Sequence, residues 1–228
     1  HIKLFMSNAV EKGLTQNIAY KQFKVTKATA NSAVYLDKKE LKKIYNLDLS
    51  DNKRLEQVRD LFLIACYTGL RYSDFSRLKV SNFIEHDGIP MISIVTQKTR
   101  KKVEIPVHPY VKAIIEKYKG KVPKAISNQR MNDYIKEVCQ LAGINQKVEK
   151  YSSKGLDMVT EFLPKYKLVS THTARRSFAT NAYLGGIPAK QIMFITGHAK
   201  ESTFFNYVRI TQKESAAQLS NETFFTEE

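Results

Sequence analysis

Four side chains suited to phosphate chemistry lie close together near the end of the chain. His172 and Arg175 form an HxxR pair. His198 follows a glycine, and Tyr207 comes a few residues after it. Arginine clamps phosphate through bidentate, charge-assisted hydrogen bonds, histidine moves protons near neutral pH, and tyrosine becomes a nucleophile where its surroundings stabilise the phenolate. Together these residues predict phosphoryl transfer through a phosphotyrosine, on a nucleic acid rather than on a nucleotide.

The composition favours a polyanionic partner. The 228 residues include 37 lysines and arginines against 22 acidic residues, which gives a net charge of +15. This balance is typical of proteins that bind DNA or RNA, although a generic basic surface would produce it too. No apolar run reaches the roughly 18 residues of a membrane span. Cys66 and Cys139 lie in apolar helical patterns without zinc-ligand spacing, which predicts buried thiols in a reducing cytoplasm and no metal.

Helical patterns are expected to position these residues. Thr171 is predicted to cap a helix whose first turn presents His172 and Arg175 on one face. The N-terminus of such a helix also favours a nearby anion. A separate apolar stripe predicts an earlier helix that ends at Gly69 in the left-handed conformation, directly before Arg71.

An acidic residue follows Arg71 closely. Asp74 opens the next helical turn, and it is predicted either to brace the Arg71 guanidinium or to cap that turn. In both cases Asp74 supports the site from behind the residues that carry the chemistry.

A basic hairpin is predicted from residues 91–95 and 103–107, two β-rich runs that enclose the stretch TQKTRKK. Lys98 is expected on the first strand, just before the turn. The other cations of this tip are expected to touch DNA phosphates, and they are Arg100, Lys101 and Lys102. A basic loop without chemistry would fit these three residues better than it fits Lys98.

Three further segments are interpreted as connecting or DNA-contacting structure. Residues 1–20 carry apolar side chains at helical spacing, and a single amphipathic helix cannot form its own core. Residues 21–34 are basic and then small and polar, which predicts a linker. Residues 145–170 are polar and predict only a loose hairpin, which could contact DNA or a neighbouring subunit. Three lysines could lie along a DNA backbone or be simply solvated: Lys21, Lys24 and Lys27.

These blocks resemble, in the same order, the characteristic segments of the tyrosine recombinases, the phage-type integrases. The resemblance covers about residues 35–210, and its five blocks are TGLR at 68–71, the hairpin lysine, HTAR at 172–175, TGH at 196–198 and the tyrosine. The segments STHTARRSFAT and ITGH resemble the corresponding sequences in integrases of Bacteroidetes conjugative transposons and phages. Arg176, which we expect to contact DNA, and Thr196 stand where many relatives differ, but neither departure removes a catalytic side chain.

The resemblance implies how the phosphate would be held. Arg71 and Arg175 would clamp the non-bridging oxygens of the scissile phosphate. Lys98 would protonate the leaving 5′-oxygen, with Lys101 as the alternative. His198 would hydrogen-bond the phosphate.

It also implies how the strand would be cut. Tyr207 would attack the phosphate, leaving a 3′-phosphotyrosyl DNA and a free 5′-hydroxyl, while His172 would assist proton transfer at the tyrosine. Because cationic side chains supply the electrostatic stabilisation, no metal, cofactor or ATP is expected.

The fold implied by the resemblance is mainly α-helical with a small antiparallel β-sheet or hairpin (α+β). Residues 1–20 would be the last helix of an N-terminal core-binding domain. Residues 21–34 would be a linker, and residues 35–228 would be the catalytic domain with a C-terminal tail helix. DNA would lie across a basic face that contains the six catalytic residues.

The expected partner is double-stranded DNA at attachment or core sites. The resemblance implies a homotetramer on DNA and a monomer when free, with accessory DNA-bending factors, no membrane, and a location in the bacterial cytoplasm at the nucleoid. The expected function is integration or excision of a mobile element. The alternatives are a chromosome-dimer resolvase, a DNA invertase, a type IB topoisomerase or a non-catalytic DNA-binding relative, and the intact set of catalytic residues argues against the last.

Overall fold

The structure, a computed structural model, describes residues 2–22, 33–154, 157–208, 210, 215–216 and 220. It falls into two compact units, His1–Asn31 with Lys150–Glu161 and Ser32–Glu149 with Phe162–Glu228. All six predicted catalytic residues belong to the second unit. The middle of the predicted linker and most of the predicted tail helix lie outside the described residues.

The first unit contains α1 (Ile2–Glu11), the amphipathic helix expected near the start of the chain. A short helical turn that follows is tied back to it, because Lys3 Nζ donates to the carbonyl of Lys21 at 3.1 Å and Ser7 Oγ lies 3.0 Å from the Tyr20 hydroxyl. The large apolar side chains of α1 are mostly exposed: Ile2, Leu4 and Phe5.

The second unit begins with two capped helices. α2 (Lys38–Asn46) starts with a capping box, in which Asp37 and Glu40 each accept the other's main-chain N–H at 2.8 Å. α3 (Lys53–Thr68) is capped by Asn52, whose Oδ1 accepts from Leu55 N at 3.1 Å.

A three-stranded antiparallel sheet follows, with β1 (Phe83–His86), β2 (Ile89–Val95) and β3 (Lys102–Pro106) in that order. Asp87 and Gly88 join β1 to β2 with φ of +50° and +76°. This is the geometry of a two-residue hairpin turn, which Asp-Gly favours. One face of β2 and β3 is buried in the core, and its residues are Ile92, Ile94, Val103 and Ile105.

The remaining elements are mostly helical. They are α4 (Tyr72–Phe75), α5 (Pro109–Lys117), α6 (Asn128–Leu141), β4 (Lys147–Lys154), β5 (Asp157–Pro164), α7 (Thr171–Leu184), α8 (Ala189–Thr196) and α9 (Glu201–Phe205). β4 and β5 form the loosely predicted hairpin as a separate two-stranded sheet. Mainly helical structure with small antiparallel sheets confirms the predicted fold class.

The core is built around α3. Four consecutive residues of this helix, 62–65, are fully buried, because α2, α5, α6 and α7 surround it. Cys66 and Cys139 are buried free thiols, as predicted. No helix in the described part of the chain is long and apolar enough to cross a membrane. Because α3 is fixed on all sides, its C-terminal end is a rigid platform for the residues that follow.

Candidate active site

The C-terminal end of α3 places Arg71 at the site. Gly69 ends the helix with φ +66°, the left-handed conformation that glycine adopts without strain. The space beside it is closed, since a Cβ at Gly69 would lie 2.4 Å from Cδ1 of Phe178. Arg71 follows as the half-buried residue that precedes α4. Its charge acts on His172, Arg175 and His198, so the segment that follows α3 lies close to these three residues of the C-terminal motifs.

The N-terminal end of α7 is anchored to α6. The Thr171 main-chain N–H donates to Asn132 Oδ1 at 2.8 Å, and its hydroxyl donates to Asn128 Oδ1 at 3.0 Å. Thr171 was the predicted cap, but Ser170 holds that position and Thr171 is the first helical residue. The helix therefore begins one residue earlier than a Thr171 cap would give, and its first turn still carries His172 and Arg175.

Arg175 is the buried centre of the site, with only 2% of its surface exposed. Nη1 donates to the carbonyl of Gly69 at 2.7 Å, and Nη2 donates to the carbonyl of Thr196. One guanidinium thus joins the ends of α3 and α8. Burial, followed by the charge of Arg71, lowers the pKa of Arg175 to about 9, so the side chain stays cationic at neutral pH.

His198 is held by the end of α8. Gly197 ends this helix with φ +64°, and His198 Nδ1 lies 2.9 Å from the Thr196 hydroxyl. That hydroxyl gives its one hydrogen to the carbonyl of Ile192 at 2.7 Å. We therefore assign Nδ1 as the donor to Thr196, which leaves Nε2 of the neutral ring with a lone pair. Burial and then the charges of Arg175 and Arg71 lower the pKa of His198 to about 4.

Tyr207 follows α9 in a turn, with its main-chain N–H donating to Phe204 O at 2.7 Å. Its ring centroid lies 4.7 Å from that of His198, and Cζ of Arg175 lies 5.7 Å from the Tyr207 ring. The tyrosine therefore sits against two of the predicted phosphate ligands.

His172 and Lys98 complete the predicted set. His172 is on the open side of α7, and partial desolvation, followed by the charges of Arg176 and Arg175, lowers the pKa of its imidazole. The neutral ring that results can accept a proton. Lys98 is exposed, and its charge is felt by His172. The structure thus brings all six predicted catalytic residues to one region of the second unit.

The position of Lys98 differs from the prediction. β2 ends at Val95, so Lys98 lies within the turn between β2 and β3 and not on the strand. The turn is closed internally, because Thr96 N donates to Lys101 O at 2.9 Å and Arg100 N to Thr96 O at 3.0 Å. Lys98 therefore projects from a short, hydrogen-bonded loop.

Asp74 also differs from its predicted contacts. It is fully buried, and Oδ1 accepts from Gln97 N at 2.8 Å and from Arg77 Nη2 at 3.2 Å. Its side-chain partners thus lie in the turn that carries Lys98 and in the residues just after α4. Among the described residues, Arg71 makes no hydrogen bond with the Asp74 carboxylate. Neither predicted role is seen, since Asp74 does not cap α4 and instead bonds the turn that carries Lys98.

Three buried polar atoms lack a hydrogen-bond partner within the described residues, and all three lie at this site: Asp74 Oδ2, Arg175 Nε and His198 Nε2. Buried polar groups are nearly always paired in folded proteins. Arg175 and His198 lie against Tyr207, and the Nε–H of Arg175 is, among the described residues, a free donor that an oxygen of a ligand bound there could accept from.

The predicted DNA-contacting residues are scattered. Arg100, Lys101 and Lys102 are exposed at the hairpin, with Lys102 Nζ 2.8 Å from Glu104, and Arg176 is half-buried on α7. Lys21 is exposed in the first unit, whereas Lys24 and Lys27 lie outside the described residues. A groove of about 620 Å³ runs from the hairpin to His198, and its walls include Lys101, Lys102, Lys190 and Phe194.

Sequence reasoning missed the residues that hold the site together. Arg77 bonds the turn that carries Lys98, Thr196 orients His198, and Phe178 packs on Gly69. The contacts of Arg77 with Val95 and of Phe178 with Gly69 join distant segments, whereas those of Thr196 with Ile192 and His198 are local. No group of three or more potential metal ligands occurs among the residues that the structure describes.

Comparison with known proteins agrees with this geometry. A family model for the phage integrase family matches residues 34–214, and the chain belongs to that family. It is 28% identical over 184 residues to the tyrosine recombinase XerC of Treponema denticola, a match that covers 73% of this chain and 55% of the relative. The chain thus spans only about half the length of that protein.

Solved structures share the fold. A lambda integrase dimer bound to a core site superposes with a TM-score of 0.65 at 18% identity, covering 90% of this chain and 55% of that one. XerH recombinase in a post-cleavage complex with DNA gives 0.61 at 17% identity, covering 87% and 56%. At these identities the likeness establishes the tyrosine recombinase catalytic-domain fold.

Proposed function

We propose that this protein is a site-specific DNA recombinase that cleaves and rejoins strands through a 3′-phosphotyrosyl intermediate. The proposal is carried by two buried nitrogens beside Tyr207, Arg175 Nε and His198 Nε2, which have no hydrogen-bond partner among the residues that the structure describes. An arginine N–H aimed at an anion stabilises the charge that develops on a phosphate under attack. The nucleophile and the anion site are thus adjacent.

The proposed step forms one bond and breaks another. Tyr207 Oη bonds to phosphorus as the bond from phosphorus to the 5′-oxygen breaks. The phenol proton passes to the neutral imidazole of His172, and Lys98 gives a proton to the departing 5′-oxygen. Attack by a 5′-hydroxyl of another strand reverses the step, so no ATP is needed.

Two arginines keep the reacting phosphate in place. Arg175 contributes Nε and the second hydrogen of each Nη, since each Nη uses only one hydrogen on a carbonyl. Arg71 contributes its guanidinium from the end of α3. Their combined charge lowers the cost of forming both the phenolate and the phosphorane.

His198 requires a change of protonation in this scheme. The Thr196 contact leaves Nε2 without a hydrogen in the neutral ring, so the ring donates to phosphate only as imidazolium. A bound phosphate favours that form, because an adjacent negative charge raises the pKa of a histidine. His198 would thus take up a proton as DNA binds.

We further propose double-stranded DNA as the partner, at attachment or core sites. The net charge of +15 and the basic groove beside His198 support this. The related lambda integrase and XerH structures hold DNA, the former as a dimer. Assembly on DNA into a homotetramer from free monomers, accessory DNA-bending factors and a place at the bacterial nucleoid remain part of this proposal.

The domain organisation and biological role complete the proposal. Residues 1–20 belong to a core-binding domain, 21–34 to a linker and 35–228 to the catalytic domain with its tail helix. The exposed apolar residues of α1 support the first assignment, since they need a larger partner surface. The role is integration or excision of a mobile element, with dimer resolution and inversion as alternatives that differ in target DNA.

The test is a covalent trap. The protein is incubated in EDTA without ATP with a library of nicked duplexes that carry a randomised core, so that a cleaved strand loses its short end and cannot be rejoined. We expect SDS-resistant adducts from the wild type and none from Tyr207→Phe. An adduct that persists in Tyr207→Phe would overturn the assignment of the nucleophile. If the wild type itself forms no adduct, the proposed recombinase activity is wrong.

A further inference from the structure

Arg77 links the chain that follows Arg71 to the turn that carries Lys98. Its Nε donates to Ser73 O at 3.2 Å, which fixes the guanidinium against α4. Its Nη2 donates to Asp74 Oδ1 at 3.2 Å and to the carbonyl of Val95, the last residue of β2. One planar side chain therefore touches both the arginine-bearing segment and the base of the turn.

Asp74 makes the second half of this link. Its Oδ1 accepts from the main-chain N–H of Gln97, the residue directly before Lys98, at 2.8 Å. A fully buried carboxylate is costly unless charged or polar donors surround it. Asp74 has Arg77 as its charged partner and Gln97 as a neutral one. Because the buried carboxylate needs both donors, it holds the turn at Gln97 in place.

The lysine itself has no such restraint. Lys98 is exposed, and within the described part of the chain its ammonium makes no hydrogen bond or ion pair. A lysine side chain is a flexible stem whose reach is set by its main-chain position. The place of the Lys98 ammonium is thus decided by Val95 and Gln97, the two residues that Arg77 and Asp74 hold.

We propose that Arg77, acting through Asp74, is a positioning residue for Lys98 as the general acid. This inference rests on the proposed function. Arg77 touches neither the nucleophile nor its two neighbours in the described contacts, so its removal would impair protonation of the leaving 5′-oxygen and leave the attack by Tyr207 intact. A displacement of about 1 Å at a catalytic group can cost roughly 10²-fold in rate.

The experiment changes the leaving group. Adducts are trapped on a duplex recovered from the randomised library, made once with the normal 5′-oxygen at the scissile bond and once with sulfur in its place. A thiolate leaves without a proton, because thiols have a pKa of about 8.5, whereas an alkoxide needs the acid. The variants are Arg77→Ala, Lys98→Ala and, as a matched control, Lys79→Ala, which removes an exposed cation from the same segment.

On the oxygen duplex we expect Lys98→Ala to slow cleavage by about 10²–10⁴-fold and Arg77→Ala by about 10²-fold. On the sulfur duplex both should approach the wild-type rate, and Lys79→Ala should match the wild type on both. Arg77→Lys should retain only part of the activity, because one ammonium cannot replace both Nη2, which bonds Asp74 and Val95, and Nε, which bonds Ser73.

Different failures have different meanings. If sulfur rescues Lys98→Ala but leaves Arg77→Ala slow, Arg77 has a general structural role and the inference is wrong. If sulfur rescues neither variant, Lys98 is not the general acid for the leaving 5′-oxygen, and the positioning role of Arg77 is wrong as well. A wild type that forms no adduct overturns the proposed function itself.

Hydrogen exchange gives a readout that does not depend on activity. In Arg77→Ala the main-chain N–H of Gln97 should exchange faster than in the wild type, while the amides of α3 should stay protected. Unchanged protection of Gln97 would contradict the positioning role even if the variant were slow. Loss of protection throughout α3 would show that the variant had unfolded, and Arg77→Lys would then be measured in its place.

Discussion

The proposed phosphate-binding half of the site and the proposed nucleophile half are held by different means. Arg175 is buried against α3 and bonded to the carbonyls of Gly69 and Thr196, so it is part of the main core. Tyr207 follows the five-residue α9, whose one buried side chain is Phe204. Helices this short have little stability of their own and depend on packing. The difference means that Arg175 is fixed by the main core, whereas Tyr207 is attached through a small local contact.

The most severe test of this contrast is Tyr207→Phe. Removing one hydroxyl from a half-buried residue should abolish the covalent adduct while changing the free energy of unfolding by less than about 0.5 kcal/mol. DNA binding, measured by electrophoretic mobility, should be retained because the cationic residues are intact. A variant that also lost DNA binding would show that the two halves are not independent.

Arg175→Lys should affect both stability and activity. Lysine keeps the charge but cannot reach the carbonyls of Gly69 and Thr196 together, so the unfolding free energy should fall by about 1.5–3 kcal/mol. Cleavage should slow by about 10²–10³-fold, the usual effect of losing a donor to a developing anion. Urea denaturation and adduct formation measure the two effects. A stable but inactive variant would mean that Arg175 does not join the helix ends in solution.

Phe204→Ala should loosen the segment that carries Tyr207 and leave the core around Arg175 intact. Truncation of a core phenylalanine commonly costs about 3–5 kcal/mol, but here we expect a smaller change in global stability, because α9 can detach while the main core survives. The adduct rate should fall, and hydrogen exchange should increase across α9 alone. A full loss of several kcal/mol would place α9 in the main cooperative unit.

His198→Asn gives the smallest expected effect, a change in the dependence of stability on pH. The pKa of His198 is lowered from 6.5 to about 4 in the folded chain. The unfolded chain therefore binds more protons between these values, and stability falls as pH drops from 6.5 towards 4. This should amount to roughly 1–2 kcal/mol once the partial solvent exposure of the ring is allowed for. Asparagine keeps a donor near Thr196 and should flatten the profile, whereas an unchanged slope would refute the shift.

Local patterns in the sequence predicted the parts of the site that depend on local geometry. The left-handed Gly69 that ends α3 and the helix whose first turn carries His172 and Arg175 each follow from neighbouring residues, and the structure has both. The spacing of the motifs and the family resemblance supplied the order in which they would meet.

The prediction failed where distant contacts decide the geometry. Lys98 was assigned to a strand because its neighbours favour β structure, but Arg77 and Asp74 bond Val95 and Gln97 and so fix where the turn lies. The partner of Asp74 is likewise set by the packing of α4 on the hairpin. No spacing rule within one segment contains that information.

The most direct measurement is to identify the amino acid joined to DNA. The trapped adduct would be digested with nuclease and protease, and the modified peptide sequenced by mass spectrometry, while kinase labelling would detect the free 5′-hydroxyl on the released strand. We predict a nucleotide attached through its 3′-phosphate to Tyr207, beside Arg175 and His198. Attachment to any other residue, or a phosphate left on the 5′ side, would contradict the proposed chemistry.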